Sequence, residues 1–366
     1  MRVLHIAQKI PGGIASYLDE VLDYQIGHFG EERVSVLVAE PEREHLSFVP
    51  ASCLHTFPSS DRTLAGLSRF ALEVRRTVRR VRPDIVHLHS TFAGLARPLL
   101  WGRGRPAIVY CSHGWSFNMG TGGLKKGVFG QVERALAHGT DRIVCISAFE
   151  RDSAQQRGIR ADRMEVIHNG VADQTASADV EAPAFPEDHL NLLFIGRHDR
   201  QKGLDIAEAA MAELTDVPVH LHVIGAKVLA EGGEQGRALP NITYYGWQSR
   251  EAIPRFIEAA DAVIVPSRWE GFGLAAIEAM RQGRPVLASR VDALPEVVRD
   301  GQTGFLFAPE NPGAIASLVR SLDRAGLRAM GAAARQDYLD RFTSRRMNER
   351  LVQLYREVLQ GVPQAS

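Results

Sequence analysis

Two glutamates, Glu270 and Glu278, stand eight positions apart around the turn Gly271-Phe272-Gly273, in the stretch SRWEGFGLAAIEAM from Ser267 to Met280. An apolar run, Ala262–Pro266, precedes them, and a helix-forming run, Gly273–Gln282, follows. Glycines that open a helix let main-chain N–H groups approach an anion, and the helix N-terminus adds positive potential. A carboxylate inside that helix can accept two hydrogen bonds from a cis-diol such as a ribose. One placed before the turn lies nearer the reacting end, where it can accept sugar hydroxyls or stabilise positive charge. The spacing therefore suits a nucleoside read by Glu278, phosphates held at Gly271, Phe272, Gly273 and Leu274, and a sugar read by Glu270. A loop glutamate and a helix-surface glutamate without function would look the same in isolation.

A second element weighs against that blander reading. The apolar run Asn191–Ile195 ends in GRHDRQKG, Gly196–Gly203. The planar fork of Arg197 and the point charge of Lys202 suit a diphosphate, and Arg200 could also reach. Near the N-terminus, Val3–Ala7 is followed by Pro11-Gly12-Gly13 and a helical run, so Gly13 is a third candidate for main-chain anion contact; an ordinary glycine turn fits equally well. The dinucleotide fingerprint G-x-G-x-x-G and the phosphate loop G-x-x-x-x-G-K-[ST] are both absent, which disfavours a nicotinamide dehydrogenase. Asp-x-Asp does not occur, so no carboxylate pair of that kind is available for a metal-bound diphosphate. His87 and His89 have the i, i+2 spacing of a metal pair, but an apolar strand around them points to local packing or hydrogen bonding. No metal or cofactor is expected.

Alternating short β-branched runs and amphipathic segments must position these residues. Strands are expected at Val3–Ala7, Arg33–Ala39, Ile85–His89, Ala107–Ser112, Arg142–Ile146 and Met164–His168, with helices at Gly13–Gly27, Leu64–Val81, Gly127–His138 and Ala148–Arg157. Residues 175–188 are rich in Ala, Pro and acids and read as a linker. A second alternation follows. Its strands are Asn191–Ile195, His220–Ile224, Ile242–Tyr245, Ala262–Pro266, Pro285–Ala288 and Gly304–Phe307; its helices are Gly203–Leu214, Arg250–Ala260, Gly273–Gln282, Leu294–Val298 and Gly313–Arg324. The fold class expected is α/β, with two doubly wound Rossmann-like domains, 1–174 and 189–343, facing a central cleft. A final amphipathic run at 344–360 is expected to join the first domain.

Length and composition agree. The 366 residues suggest about two domains. A net charge of +0 gives no nucleic-acid signature. Three scattered cysteines, Cys53, Cys111 and Cys145, read as reduced thiols of a cytoplasmic protein. Neither a signal peptide nor a run of ~18 apolar residues is apparent.

Several of these pieces together resemble the family-4 retaining glycosyltransferases of GT-B fold: FIGRHDRQKG, YYGWQSREAIPRFIEAADAVIVPSRWEGFGLAAIEAM, GRPVLAS, LPEVV and DGQTGFLF over residues 190–307, with GGIASYL, RPDIVHLHS, CSHG, RIVCIS and VIHNGV earlier. The resemblance implies that Glu270 contacts the transferred sugar, Glu278 the ribose, and Arg197 and Lys202 the diphosphate, with Gly13 close to it. It places His113, otherwise an unremarkable histidine, beside the sugar. One departure stands out: Asp292-Ala293 occupies a place where the family often has Gly-Gly, which puts a main-chain contact there in doubt. The implied reaction is transfer with retention through an oxocarbenium-like state, with fixed positive groups in place of a metal. A UDP-sugar is favoured over GDP-mannose as donor. Glycans or polyprenyl-diphosphate-linked glycans of polysaccharide assembly are the expected acceptors. A nucleotide-sugar 2-epimerase of the same fold and an inactive sugar-nucleotide-binding subunit are the rivals.

Residues 64–82, LAGLSRFALEVRRTVRRVR, add a surface. Leu64, Leu67, Phe70, Ala71, Val74, Val78 and Val81 make one helical stripe, while Arg69, Arg75, Arg76, Arg79, Arg80 and Arg82 crowd the rest. Such a face suits an anionic membrane, at ~1 kcal/mol per basic residue near the surface, or is simply solvated. Lys125 and Lys126, after a glycine-rich loop at 118–123, could extend it or bind an acceptor phosphate. Localisation on the inner face of the cytoplasmic membrane would follow.

Overall fold

The computed structural model describes residues 1–10, 12–58, 61, 63–118, 123–174, 181–226 and 239–361. The chain divides into two compact units: Met1–Ala172 with the C-terminal segment from Ser344, and Asp173–Thr343.

The first unit is built on seven parallel strands: β1 Val3–Ala7, β2 Val34–Ala39, β3 Leu54–Phe57, β4 Ile85–His89, β5 Ala107–Cys111, β6 Arg142–Cys145 and β7 Met164–Val166, in the order β3-β2-β1-β4-β5-β6-β7. Every residue of β1, β4 and β5 is buried, because helices cover both faces. These are α1 Gly13–Phe29, α2 Leu64–Val81, α3 Ser90–Gly94, α4 Gly123–Ala137 and α5 Ala148–Gln156. Phe70 and Val74 of α2 share one core cluster with Ala93 of α3, Ala137 of α4 and Ala154 of α5, whereas Leu18 and Leu22 of α1 belong to another. Thr63 caps α2 through the Gly66 N–H, and Ser147 caps α5 through the Glu150 N–H.

The second unit has six parallel strands: β8 Leu190–Ile195, β9 Val219–Ile224, β10 Ile242–Gly246, β11 Ala262–Val265, β12 Val286–Ser289 and β13 Gly304–Phe307, ordered β10-β9-β8-β11-β12-β13. Its helices are α6 Leu204–Ala212, α7 Ile253–Ala259, α8 Leu274–Arg281, α9 Leu294–Val297, α10 Pro312–Arg320 and α11 Arg324–Arg341. The last helix, α12 Ser344–Gly361, belongs to the first unit. Its Ser344 N–H donates to the Val171 carbonyl at 2.8 Å, and its Asn348 amide to the Glu20 carbonyl at 3.0 Å.

In each sheet the order reverses once, at β1/β4 and at β8/β11. The loops that leave neighbouring strands there turn to opposite sides and open a crevice for ligand. GRHDRQKG follows β8 and SRWEGFG follows β11, so topology alone brings these two motifs together in the second unit.

Differences from the sequence expectation have local causes. β3, LHTF, is a half-buried edge strand and lacks the apolar run that marks the others. The helix expected at Gly313–Arg324 ends at Arg320, and Asp323 caps a new helix, α11, by accepting from the Gly326 N–H at 2.8 Å. α4 starts at Gly123, which puts Lys125 and Lys126 in its first turn. Of the expected linker, 175–180 lies outside the described residues, and 181–188 packs on the second unit through Phe185, stacked on His222 at 3.4 Å between ring centroids. Pro11, positions 119–122 and the Leu64 side chain also lie outside what is described.

Candidate functional site

In the second unit, the loop after β8 holds Arg197 and Lys202, and the loop after β11 holds Glu270 and the Gly271-Phe272-Gly273 turn. Lys202 Nζ donates to Glu270 Oε2 at 2.6 Å, and Ser267 Oγ donates to the same oxygen at 3.2 Å. Arg197 leans on Asp199 at 3.0 Å, and Asp199 also accepts from the Lys202 main-chain N–H at 3.0 Å. Glu270 is buried, Lys202 is part-buried and Arg197 is exposed. Asp199 thus links the Arg197 guanidinium to the main chain of Lys202, whose ammonium is held by Glu270.

The glycines show why these loops lie so close. Gly203 has φ +69°, and a Cβ there would meet the Pro266 carbonyl oxygen at 2.1 Å, so the start of α6 abuts the end of β11. Gly273 has φ +103°, with Leu294 Cδ2 only 2.9 Å from the position of a Cβ. Neither helix is capped by a side chain, so α6 and α8 both present open N-termini. Phe272 is buried against Phe342, ring centroids 5.8 Å apart, and can offer only main chain to a ligand. Leu274 opens α8, and Glu278 lies one turn further on, half-buried. Arg268, absent from the sequence-based set, clamps the loop: it makes paired bonds to Asp205 at 2.8 and 2.7 Å and one to Glu310 at 2.6 Å. Its guanidinium also donates to the Arg200 carbonyl at 2.9 Å.

The first unit carries Gly13 and His113. Gly13 begins α1, exposed and without a side-chain cap. His113 has φ +53°, in the left-handed region. Its turn is held by Glu150, a buried carboxylate that accepts from the Gly114 N–H at 2.5 Å, the Ser112 hydroxyl at 3.3 Å and the Ile146 N–H at 3.1 Å. His113 Nε2 bonds to His89 Nδ1 at 3.0 Å, His89 Nε2 to His5 Nδ1 at 3.0 Å, and His5 Nε2 to Gln25 Oε1 at 3.0 Å. His87 Nδ1 bonds to the Tyr355 hydroxyl of α12 at 2.6 Å. Burial pushes all these imidazoles down, His5 to about 4, His113 to about 3, and His87 and His89 well below the ordinary range. They are neutral at pH 7. Among the described residues, His5, His87 and His89 are the one group spaced for a cation, with one ring nitrogen from each within 4.8 Å of the others. Two of those rings already hydrogen-bond to each other, and no carboxylate joins them.

Comparison with known proteins matches residues 11–175 to the model described as Glycosyltransferase Family 4 and residues 177–337 to that described as Glycosyl transferases group 1. A D-inositol 3-phosphate glycosyltransferase of Catenulispora acidiphila is 31% identical over 76% of this chain and 73% of its own. The chain belongs to the family-4 glycosyltransferases. A 41.2 kDa protein in the cps region of Klebsiella pneumoniae is 29% identical over 97% of this glycosyltransferase and 99% of its own length. In structure, Anabaena HepE in complex with UDP-glucose superposes with a TM-score of 0.79 at 19% identity, covering 98% of this chain and all of that one. Two Rossmann-like parallel-sheet units of GT-B type are thereby the fold of this glycosyltransferase.

The structure brings Arg197, Lys202, Glu270, Gly271, Phe272, Gly273, Leu274 and Glu278 to one unit, and Gly13 and His113 to the other. Asp199, Ser267, Arg268 and Glu150 were not legible as site-shaping residues. Arg268 and Glu150 act through contacts distant in sequence, Asp199 through the Lys202 main chain, and Ser267 through a side-chain bond to Glu270 three residues on, which the spacing alone does not reveal.

The outward face of α2 is as basic as its sequence: Arg69, Arg75, Arg76, Arg79, Arg80 and Arg82 are exposed, Arg80 resting on His55 at 3.1 Å. α4, packed in the same core cluster, exposes Leu124, Val128 and Val132 at helical spacing beside Lys125. No helix among the described residues is long and apolar enough to cross a membrane.

Proposed function

We propose that this glycosyltransferase moves a sugar from a nucleotide-sugar to a glycan or polyprenyl-diphosphate-linked acceptor in polysaccharide assembly, with retention and without a metal. A UDP-sugar is favoured over GDP-mannose; the UDP-glucose complex of the Anabaena structure supports that choice, and the cps-region relative accords with the acceptor class. The observation that carries the reading is the Lys202–Glu270 pair, set between the uncapped N-termini of α6 and α8 with Arg197 alongside.

The chemistry follows from the charges. Arg197, Lys202 and the two helix N-termini hold the diphosphate, and Glu278 accepts the ribose hydroxyls. Glu270 faces the sugar. As the anomeric carbon–phosphate oxygen bond breaks, negative charge builds on the diphosphate and positive charge on the sugar ring. Lys202, bonded to Glu270 at rest, moves toward the departing phosphate, and Glu270 is freed to oppose the ring charge. The acceptor oxygen bonds to the same face of the anomeric carbon, and its proton goes to the departing phosphate oxygen. Neutral His113 can exchange a hydrogen bond with a sugar hydroxyl but does not serve as a proton donor at pH 7. The arginines of α2 and the exposed apolar residues of α4 lie on one face of the sheet, and bring the first unit to an anionic membrane that carries the acceptor.

The test is transfer from UDP-sugars to lipid-linked acceptor in chelator. The new linkage should keep the donor's anomeric configuration, and turnover should be indifferent to the chelator. An inverted product, or one that requires a divalent ion, would refute the mechanism. In a parallel arm, the protein should co-sediment with vesicles containing anionic lipid and not with neutral ones, and Arg75, Arg76, Arg79 and Arg80 changed to Glu should abolish this. Equal sedimentation with both vesicles would remove the membrane role.

A further inference from the structure

Asp292 lies between β12 and α9 with φ +45°, a left-handed conformation that glycine adopts freely and aspartate adopts at some cost. From there its Oδ2 accepts from the main-chain N–H of Glu270 at 2.9 Å. The next residue, Ala293, donates its N–H to the Glu270 carbonyl at 3.4 Å. Both polar main-chain groups of Glu270 are therefore tied to residues 292 and 293, while its side chain is tied to Lys202 and Ser267. Asp292 bears a second cost: burial and the nearby Glu270 charge push its carboxyl up from the usual carboxylate range. A glycine at this place would avoid both costs but could make no side-chain bond. What the aspartate supplies is a fixed anchor for the loop that carries Glu270.

We propose that Asp292 is the positioning residue for Glu270, fixing the distance and orientation at which that carboxylate meets the transferred sugar. The inference rests on Glu270 being the sugar-side group. It gives a function to the replacement of Gly-Gly by Asp292-Ala293: a side-chain acceptor takes over control of the loop. Because Asp292 acts through Glu270, its contribution falls on the chemical step rather than on nucleotide affinity.

The experiment compares Asp292→Gly, Asp292→Asn and Glu270→Gln with the wild-type enzyme in donor turnover, UDP affinity and thermal stability. Glycine suits φ +45°, so Asp292→Gly should fold with an unchanged or higher Tm. Its kcat should fall about 10- to 100-fold, the larger figure being the loss that a misplacement of about 1 Å can cause, while UDP Kd stays within about twofold. Asp292→Asn keeps an acceptor oxygen in the same place and should recover most of the lost kcat. Wild-type kcat in Asp292→Gly, with Glu270→Gln impaired, would overturn the positioning role and leave the reading of Glu270 intact. Asp292→Asn as slow as Asp292→Gly would also overturn it, since charge rather than the hydrogen bond would then matter. Full activity in Glu270→Gln would overturn the reading of Glu270, and the inference with it.

Discussion

Lys202→Met is expected to lower kcat by about 100- to 1000-fold, the loss typical when a donor to developing negative charge is removed. Methionine keeps the length of the side chain and removes its charge. Two effects then add. The diphosphate loses the cation nearest the breaking bond. Glu270, buried and paired with Lys202 at 2.6 Å, is left as an uncompensated carboxylate beside an anionic ligand. Added magnesium should not restore activity, because the sequence has no Asp-x-Asp to hold it on the phosphates. Arg197→Met should be milder, since Arg197 is exposed and further screened by Asp199. Steady-state kinetics on a UDP-sugar checks this. A loss below threefold, or rescue by magnesium, would show that the charge on the leaving group is met elsewhere.

Mild acid is expected to unfold the first unit, beginning below about pH 6.5, the unperturbed histidine value. His5, His87, His89 and His113 are all held neutral by burial, with folded-state values pushed down, to about 4 for His5 and about 3 for His113. Above the unfolded value, both folded and unfolded chains carry neutral imidazoles, and stability is complete. As pH falls through that value, the unfolded chain binds protons that the folded one refuses. Stability therefore falls with pH between the unfolded and folded values. Each group can contribute up to ~1.4 kcal/mol per pH unit, so four together remove several kcal/mol by about pH 5, against a typical total of ~5–15. Most carboxylates titrate below this window. Denaturant unfolding at pH 7.5, 6.5, 5.5 and 5.0 should show a steep fall, reduced in His87→Gln. A midpoint constant over that range would mean that the cluster accepts protons while folded.

The bounds of β1, β4 and β13 and of α2 could be read from the sequence because each strand is a short apolar run broken only by histidine or glycine, and α2 is a strict helical stripe. β3 could not, since its residues are half-exposed and its pairing with β2 is decided at a distance. The paired motifs at Arg197–Lys202 and Glu270–Glu278 were legible because each follows a recognisable strand, and the topology of such sheets makes the loops after β8 and β11 neighbours. What holds those loops was not. Arg268 closes on Asp205 and Glu310 across 63 and 42 residues, and Glu150 reaches the His113 turn across 36. Asp292 was visible only as a departure from glycine; that its side chain takes the Glu270 N–H depends on a backbone angle that no letter reveals.

The most direct test of the donor site is calorimetric titration of UDP, GDP and ADP in chelator, on the wild-type protein and on Glu278→Ala. Glu278 is the side chain assigned to the ribose, and losing hydrogen bonds to a charged group costs about 1.5–3 kcal/mol. One nucleotide diphosphate, UDP, should bind without metal, and Glu278→Ala should weaken it about 10- to 100-fold with no loss of fold. Absence of binding to all three nucleotides, or binding that ignores Glu278, would contradict the placement of the nucleotide-sugar on the second unit.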